Sequence, residues 1–196
     1  TLSSLYSGVI PAQRRWNEIV NVHSIDFNTK EEPIAAWLQD ALHAFVKDSI
    51  NIRGQNGVEG CDGQVESNLR EGLQGDRGWL MFAMANKQTE NMCHGTVKDG
   101  DIAGVLLVTE DKRSKTKKRS ATINVLVTHR DILRRGIASA LWLSFKHALQ
   151  DINSITLFVK GGPCMVNDDS IRFYHKRGFQ RNTETDDLEM YAEING

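Results

Sequence analysis

Ala121-Thr-Ile-Asn-Val-Leu-Val127, followed closely by Leu133-Arg134-Arg135-Gly136-Ile137-Ala138-Ser139-Ala140-Leu141, is the stretch on which the fold turns. The first run is apolar and β-branched, the composition of a strand. In the second, Ile137, Leu141, Phe145 and Leu149 recur every fourth residue and share one face of a helix. The segment therefore reads as strand, turn and helix start, with Arg134, Arg135 and Gly136 at the junction. The first turn of a helix carries N–H groups without internal acceptors, and its dipole favours negative charge. A glycine there leaves those groups open to a ligand, and neighbouring arginines suit phosphate oxygens. Taken together, the pattern is that of a pyrophosphate cradle. Many α/β proteins have such a junction and bind nothing at it, so a second feature has to decide.

That feature is Asn167-Asp-Asp-Ser170-Ile-Arg-Phe173-Tyr174-His-Lys176-Arg-Gly178-Phe179. With the first segment it resembles the GNAT (GCN5-related N-acetyltransferase) superfamily. The family's first motif, Arg/Gln-x-x-Gly-x-Gly/Ala, is matched by Gly136, Ile137 and Ala138. Leu133 stands where the family usually has Arg or Gln, with Arg134 beside it. The second pattern, Asn-x-x-Ala-x-x-Phe-Tyr-x-Lys-x-Gly-Phe, is matched by Asn167, Phe173, Tyr174, Lys176, Gly178 and Phe179, with Ser170 for Ala. A strand-like Ser154 to Lys160 lies between the two motifs. The resemblance spans about residues 97 to 191, and the first half of the chain is compatible without a signature of its own.

What the resemblance implies is a single α/β domain of the α+β type over residues 1–196. Its mixed, mostly antiparallel sheet would have helices on both sides and a splayed central strand pair. The implied activity is acetyl transfer from acetyl-CoA to a primary amine, by direct attack in a ternary complex. Acetyl-CoA would be the acyl-donor co-substrate, with no metal. Leu133, Arg134, Arg135, Gly136, Ile137, Ala138 and Ser139 would hold the pyrophosphate. Leu126 and Val127 would pair with the pantetheine arm as an added strand does, and Asn167 would bond the arm or the phosphate region.

The reaction needs a deprotonated amine, a donor for the oxyanion and an acid for the leaving thiolate. Tyr174 is the expected acid, and its ordinary pKa of about 10 keeps it protonated at neutral pH. Many family members carry a Glu on the fourth strand where this chain has Asn124, which cannot take a proton but can hold a water. Glu110 and His129 are the alternatives for the base, the latter with an ordinary pKa of about 6.5. Asn124 also keeps open a non-catalytic acyl-CoA-binding or regulatory module on the same fold.

Further out, Ile19 to Phe27 alternates as a first strand. Thr29 and Glu32 form a capping box ahead of Pro33. Ile34, Trp37, Leu38, Leu42, Phe45 and Val46 make a helical stripe ending near Ser49. Residues 51–78 are broken by glycines, with a short helix expected over Glu66 to Leu73 and a substrate lid or a plain connector as the roles. Trp79 to Ala85 is apolar throughout, which fits a buried strand or a buried helix. Met92 to Lys98 and Ile102 to Glu110 flank Asp99-Gly100 and are expected to form an antiparallel hairpin. Lys112 to Arg119 is strongly basic and short, the tip of a hairpin; an interaction protein using it for an acidic partner or RNA is the other reading. Two closing strands are expected around Glu184 to Asp187. There Glu184, Asp186, Asp187 and Glu189 would draw a cationic amine.

The bulk numbers fit this outline. Of the 196 residues 40% are hydrophobic and 25% charged, enough for one soluble core. A net charge of −1 gives no global attraction to nucleic acid or membrane, and no apolar run approaches a membrane span. No secretory pattern is visible, so a cytoplasmic or nuclear location is expected. Cys61, Cys93 and Cys164 show no paired spacing and read as free thiols, with Cys164 near the expected cofactor channel. No His/Cys set has metal-ligand spacing. Monomer and homodimer are equally compatible with the sequence.

Overall fold

The computed structural model describes residues 18–29, 34–51, 61–111, 119–159, 168–183 and 189–195. In chain order the elements are β1 (Val20–Asp26), α1 (Ala36–Asn51), α2 (Cys61–Leu73), β2 (Gly78–Ala85), α3 (Lys87–Met92), β3 (Ile102–Glu110) and β4 (Arg119–Thr128). There follow a 3₁₀ turn (Arg130–Ile132), α4 (Ile137–Ala148), β5 (Ile155–Val159), α5 (Asp168–His175), β6 (Gln180–Arg181) and β7 (Met190–Ile194). The strands form one sheet in the order β1-β2-β3-β4-β5-β7-β6. Its strand pairs are antiparallel except β4 with β5. Helices cover both faces, as the GNAT resemblance implies.

Each face has its own core. On one, Ile137, Leu141, Trp142 and Phe145 of α4 pack with Trp79, Met81, Leu106, Ile123, Tyr174 and Phe179. On the other, Leu38, Leu42 and Val46 of α1 and Leu69 and Leu73 of α2 pack with Leu80, Phe82, Leu107 and Val125. Strand β2 contributes to both, which is why its sequence is apolar without a period. A chain of aromatic contacts carries the first core outward. Trp79 meets Phe145, Phe145 meets Trp142, Trp142 meets Phe179, and Phe179 meets Tyr174, with ring centroids 5.2 to 5.8 Å apart. Tilted and edge-on pairs of this kind each add about 0.5–1.5 kcal/mol beyond burial, so α5 is seated firmly on α4.

The centre of the sheet is irregular in a way that prepares the site. Leu107 lies opposite Val125 and Val108 opposite Ile123, so Asn124 is an extra residue, a β-bulge in β4. The bulge swaps faces: Ala121 and Ile123 point to the α4 core, whereas Val125 and Val127 point to the α1/α2 core. Among the described residues β5 pairs with β4 from Arg119↔Ile155 to Ile123↔Val159, short of the bulge.

One expectation is overturned. Met92 to Lys98 is not a strand. Asn86 Oδ1 accepts from the N–H groups of Gln88 and Thr89 at 3.0 and 3.2 Å, and this cap starts α3 directly after β2. His94 and Gly95 then take positive φ, and Gly100 N–H returns to Ala85 C=O at 2.9 Å. β3 consequently pairs with β2, not with a hairpin partner at Asp99-Gly100. A smaller difference is that α2 begins at Cys61, ahead of the expected Glu66; Trp79 to Ala85, left open between strand and helix, is a strand. The expectations at Glu32, Pro33, Lys112 to Lys118, Cys164, Asn167, Glu184, Asp186 and Asp187 lie outside the described residues.

Candidate active site

The turn entering α4 is built by its own short-range bonds. His129 Nδ1 accepts from Asp131 N–H at 3.3 Å and caps the 3₁₀ turn, and buried Ile132 and Ile137 anchor either side of the loop. Arg134 adopts φ 59° and Gly136 φ 82°. For a residue with a Cβ the left-handed region costs about 1–2 kcal/mol, so glycine at 136 removes one of two such penalties. The first helical bond runs from Ala140 N–H to Gly136 C=O at 2.9 Å, and no side chain caps Gly136. The N–H groups of Ile137, Ala138 and Ser139 therefore have no acceptor within the helix. Leu133 and Arg135 are exposed, and Arg134 Nη2 lies 3.1 Å from Asp169 Oδ2 of α5. The sequence-predicted cradle residues are thus contiguous around one open helix start.

Leu126 and Val127 lie opposite Leu106 and Val105 of β3. On its other side, residues 124–128 have no strand partner among the described residues.

Tyr174 is 5% exposed, in edge contact with Phe173 and Phe179. Its Oη has no hydrogen-bond partner among the described residues. Burial raises the phenol pKa well above its ordinary value, and the charge of nearby Arg177 pulls it partly back. The phenol is accordingly a neutral donor throughout the physiological range.

Asn124 sits on the opposite face, beside Gly72 of α2, whereas Glu110 stands at the end of β3 in register with Ala121. Thr109 Oγ1 donates to Asn124 Oδ1 at 3.1 Å. Gly72 lets α2 approach, because a Cβ there would stand 2.5 Å from Leu107 Cδ2 and 3.1 Å from Asn124 Nδ2. A cleft of about 380 Å³ opens here, with Glu71, Asp76, Arg77, Thr109, Glu110 and Asn124 in its wall. It adjoins a second of about 430 Å³ that shares Asp76, Arg77 and Glu110 and reaches Asn28 and Arg119. Glu110 is gripped by Arg119, whose Nε and Nη2 each donate to one carboxylate oxygen at 2.8 Å. This bond is also the main reason the Arg119 pKa rises.

The structure brings the cradle and α5 together on one face and sets Asn124 on the other, with Glu110 lining the Asn124 cleft from the end of β3. Tyr174 does not touch either of the latter. His129 is held in its capping bond and stacks near Phe45 at 6.3 Å. Residues that sequence reasoning passed over are Thr109, which aims Asn124, Arg119, which occupies Glu110, and Arg177, which bridges α5 and α4. Each works through a contact between distant segments, for which no local pattern exists. Among the described residues no group of three or more His, Cys, Asp or Glu could hold a metal, and no helix is long and apolar enough to cross a membrane.

An uncapped helix start thus follows a strand that bulges at Asn124, and a buried tyrosine stands on the next helix. The chain belongs to the acetyltransferase (GNAT) family, whose sequence model matches residues 64–179, more than half of its length. Solved structures share the fold. A GNAT-family acetyltransferase from Staphylococcus aureus superposes with a TM-score of 0.56 at 12% identity, covering 89% of this chain and 100% of the other. The PaiA N-acetyltransferase of Thermoplasma acidophilum, solved with coenzyme A, gives 0.53 at 14% identity over 89% and 99%. An aminoglycoside acetyltransferase from a soil metagenome gives 0.53 at 20% identity over 84% and 93%. No curated protein sequence matches the chain.

Proposed function

We propose that the protein is an acetyl-CoA-dependent N-acetyltransferase acting on a primary amine by direct attack in a ternary complex. The observation that carries this reading is the uncapped α4 start at Ile137–Ser139 together with the β4 segment 124–128, which has no strand partner on its β5 side among the described residues. The first is shaped for a pyrophosphate and the second for an extended amide arm. Acetyl-CoA supplies an activated acyl carbon. Arg134, Arg135 and the N–H groups of Ile137, Ala138 and Ser139 bind its phosphates, with Leu133 and Gly136 shaping the turn. Leu126 and Val127 align the arm along β4, and Asn167 bonds the arm or the phosphate region.

The amine enters through the cleft on the α2 face. Its attack forms the C–N bond and breaks the C–S bond; Tyr174 gives its proton to the departing thiolate and recovers one from solvent. The amine's own proton leaves through a water ordered by Asn124, which Thr109 holds in place. Glu110 has both oxygens in the Arg119 fork, so its part is to shape and charge the cleft wall. The described wall is polar, with Glu71 and Asp76 favouring a hydrophilic cationic acceptor, either a small amine or a protein lysine or N-terminus.

An amine panel of amino sugars, polyamines and peptides, followed by release of free CoA thiol, tests the assignment. Acetyl-CoA turnover that depends on a hydrophilic amine is expected. Acetyl-CoA binding without turnover on any amine would favour the second reading, a regulatory acyl-CoA-binding module, which Asn124 in place of a carboxylate supports.

A further inference from the structure

We infer that Arg177 is a positioning residue for the cofactor, acting through Ser139 on the phosphate cradle while locking α5 against α4. The inference rests on the acetyl-CoA reading above. Arg177 follows α5 in the turn that leads to Phe179. Its Nη2 donates to Ser139 Oγ at 2.8 Å and its Nη1 to Phe173 C=O at 2.8 Å. The guanidinium lies over the Phe173 ring, 3.3 Å from its centroid, and 5.9 Å from that of Trp142. One side chain therefore touches the helix that carries Tyr174 and the first turn of the helix that forms the cradle.

Packing alone does not account for an arginine here. Its Nε is buried without a partner, and it forms no ion pair with a carboxylate among the described residues. Leaving such a donor unpaired is costly, and an apolar side chain would fill the same space without that cost. Burial lowers the pKa to about 10, so the group is still charged at neutral pH. The charge acts at Ser139. With Oγ accepting from Arg177, the hydroxyl proton is turned outward, and a hydroxyl that accepts from a cation is a stronger donor. Ser139 then offers a polarised O–H beside its own free N–H, where a phosphate oxygen would sit. The guanidinium also adds positive charge behind the positive end of the helix dipole.

The test is a double-mutant cycle of Arg177→Met and Ser139→Ala, read by calorimetric titration with acetyl-CoA, steady-state kinetics and thermal melting. Arg177→Met is expected to weaken acetyl-CoA binding about tenfold, equivalent to about 1.4 kcal/mol. Ser139→Ala should weaken it about fivefold, with acceptor KM unchanged in both. The double variant should lose no more than Arg177→Met alone, because both act through one contact. Arg177→Lys should recover part of the loss. Equal binding by Arg177→Met and wild type, with only the melting temperature lowered, overturns the inference and leaves the function standing. So does a double-variant loss equal to the product of the single ones. Wild-type protein that binds no acetyl-CoA overturns both. If Arg177→Met does not fold, Arg177→Lys completes the same cycle.

Discussion

Tyr174→Phe removes one hydroxyl and leaves the packing in place. The ring is 5% exposed, and its edge contacts with Phe173 and Phe179, centroids 5.4 and 5.2 Å apart, do not use the oxygen. Oη has no hydrogen-bond partner among the described residues, so its loss leaves no described donor or acceptor stranded. The stability change should stay within about 1 kcal/mol, or about 2–4 °C in melting temperature for a chain of this size. Catalysis should respond very differently. Loss of a general acid typically costs about 100- to 10,000-fold, here in kcat with the KM for acetyl-CoA little changed. The pH profile provides a second check. Burial raises the folded-state phenol pKa, so the unfolded chain releases this proton first, from pH about 10 upward. The Tyr174 contribution to stability is complete below that pH and is lost above it. The depressed Arg177 pKa, about 10, gives the opposite slope in the same range, because the folded state sheds that proton earlier. Wild type should thus lose stability faster than Tyr174→Phe in alkali, and kcat should show no falling limb from this phenol near neutrality. A Tyr174→Phe variant with kcat within a factor of two of wild type would refute the acid role.

Three further outcomes follow from the same geometry. Asp169→Asn should free Arg134 for the phosphates. The pair is exposed and worth at most about 1 kcal/mol, so acetyl-CoA affinity should rise up to about fivefold at low salt, with a melting temperature lower by no more than about 2–4 °C. Thr109→Val should release Asn124, lowering kcat about three- to tenfold while calorimetry shows unchanged acetyl-CoA binding. Glu110→Gln breaks the fork with Arg119 and should destabilise the fold by about 1–3 kcal/mol in a denaturant titration. Its kcat should fall less than fivefold, and a loss above a hundredfold would assign the base to Glu110.

Much of this architecture was legible in the residues, for identifiable reasons. Ile137, Leu141, Phe145 and Leu149 lie on one face of α4 because that helix buries a single stripe, so its period is visible. The turn at Gly136 was legible because its features are local: a turn, a helix start and two arginines in sequence. Trp79 to Ala85 did not declare itself, since a strand covered on both faces has no alternation to read. Met92 to Lys98 misled because the Asn86 cap, six residues upstream, commits the chain to α3 before any strand pattern matters. Nor does the sequence show that Asn124 is a bulge, because the bulge depends on register with Leu107 and Val108. The clamps Arg177–Ser139, Arg119–Glu110 and Thr109–Asn124 likewise join side chains whose proximity only the folded chain creates.

The most direct test of the central claim is calorimetric titration of the protein with acetyl-CoA, with Arg135→Glu plus Gly136→Asp as the control. That pair places two negative charges at the helix start and a Cβ at a φ of 82°. Binding at one site with micromolar affinity, abolished in a folded control, is the predicted result. No binding by the wild type, or binding that the control retains, would contradict the assignment of the α4 start as the cofactor site.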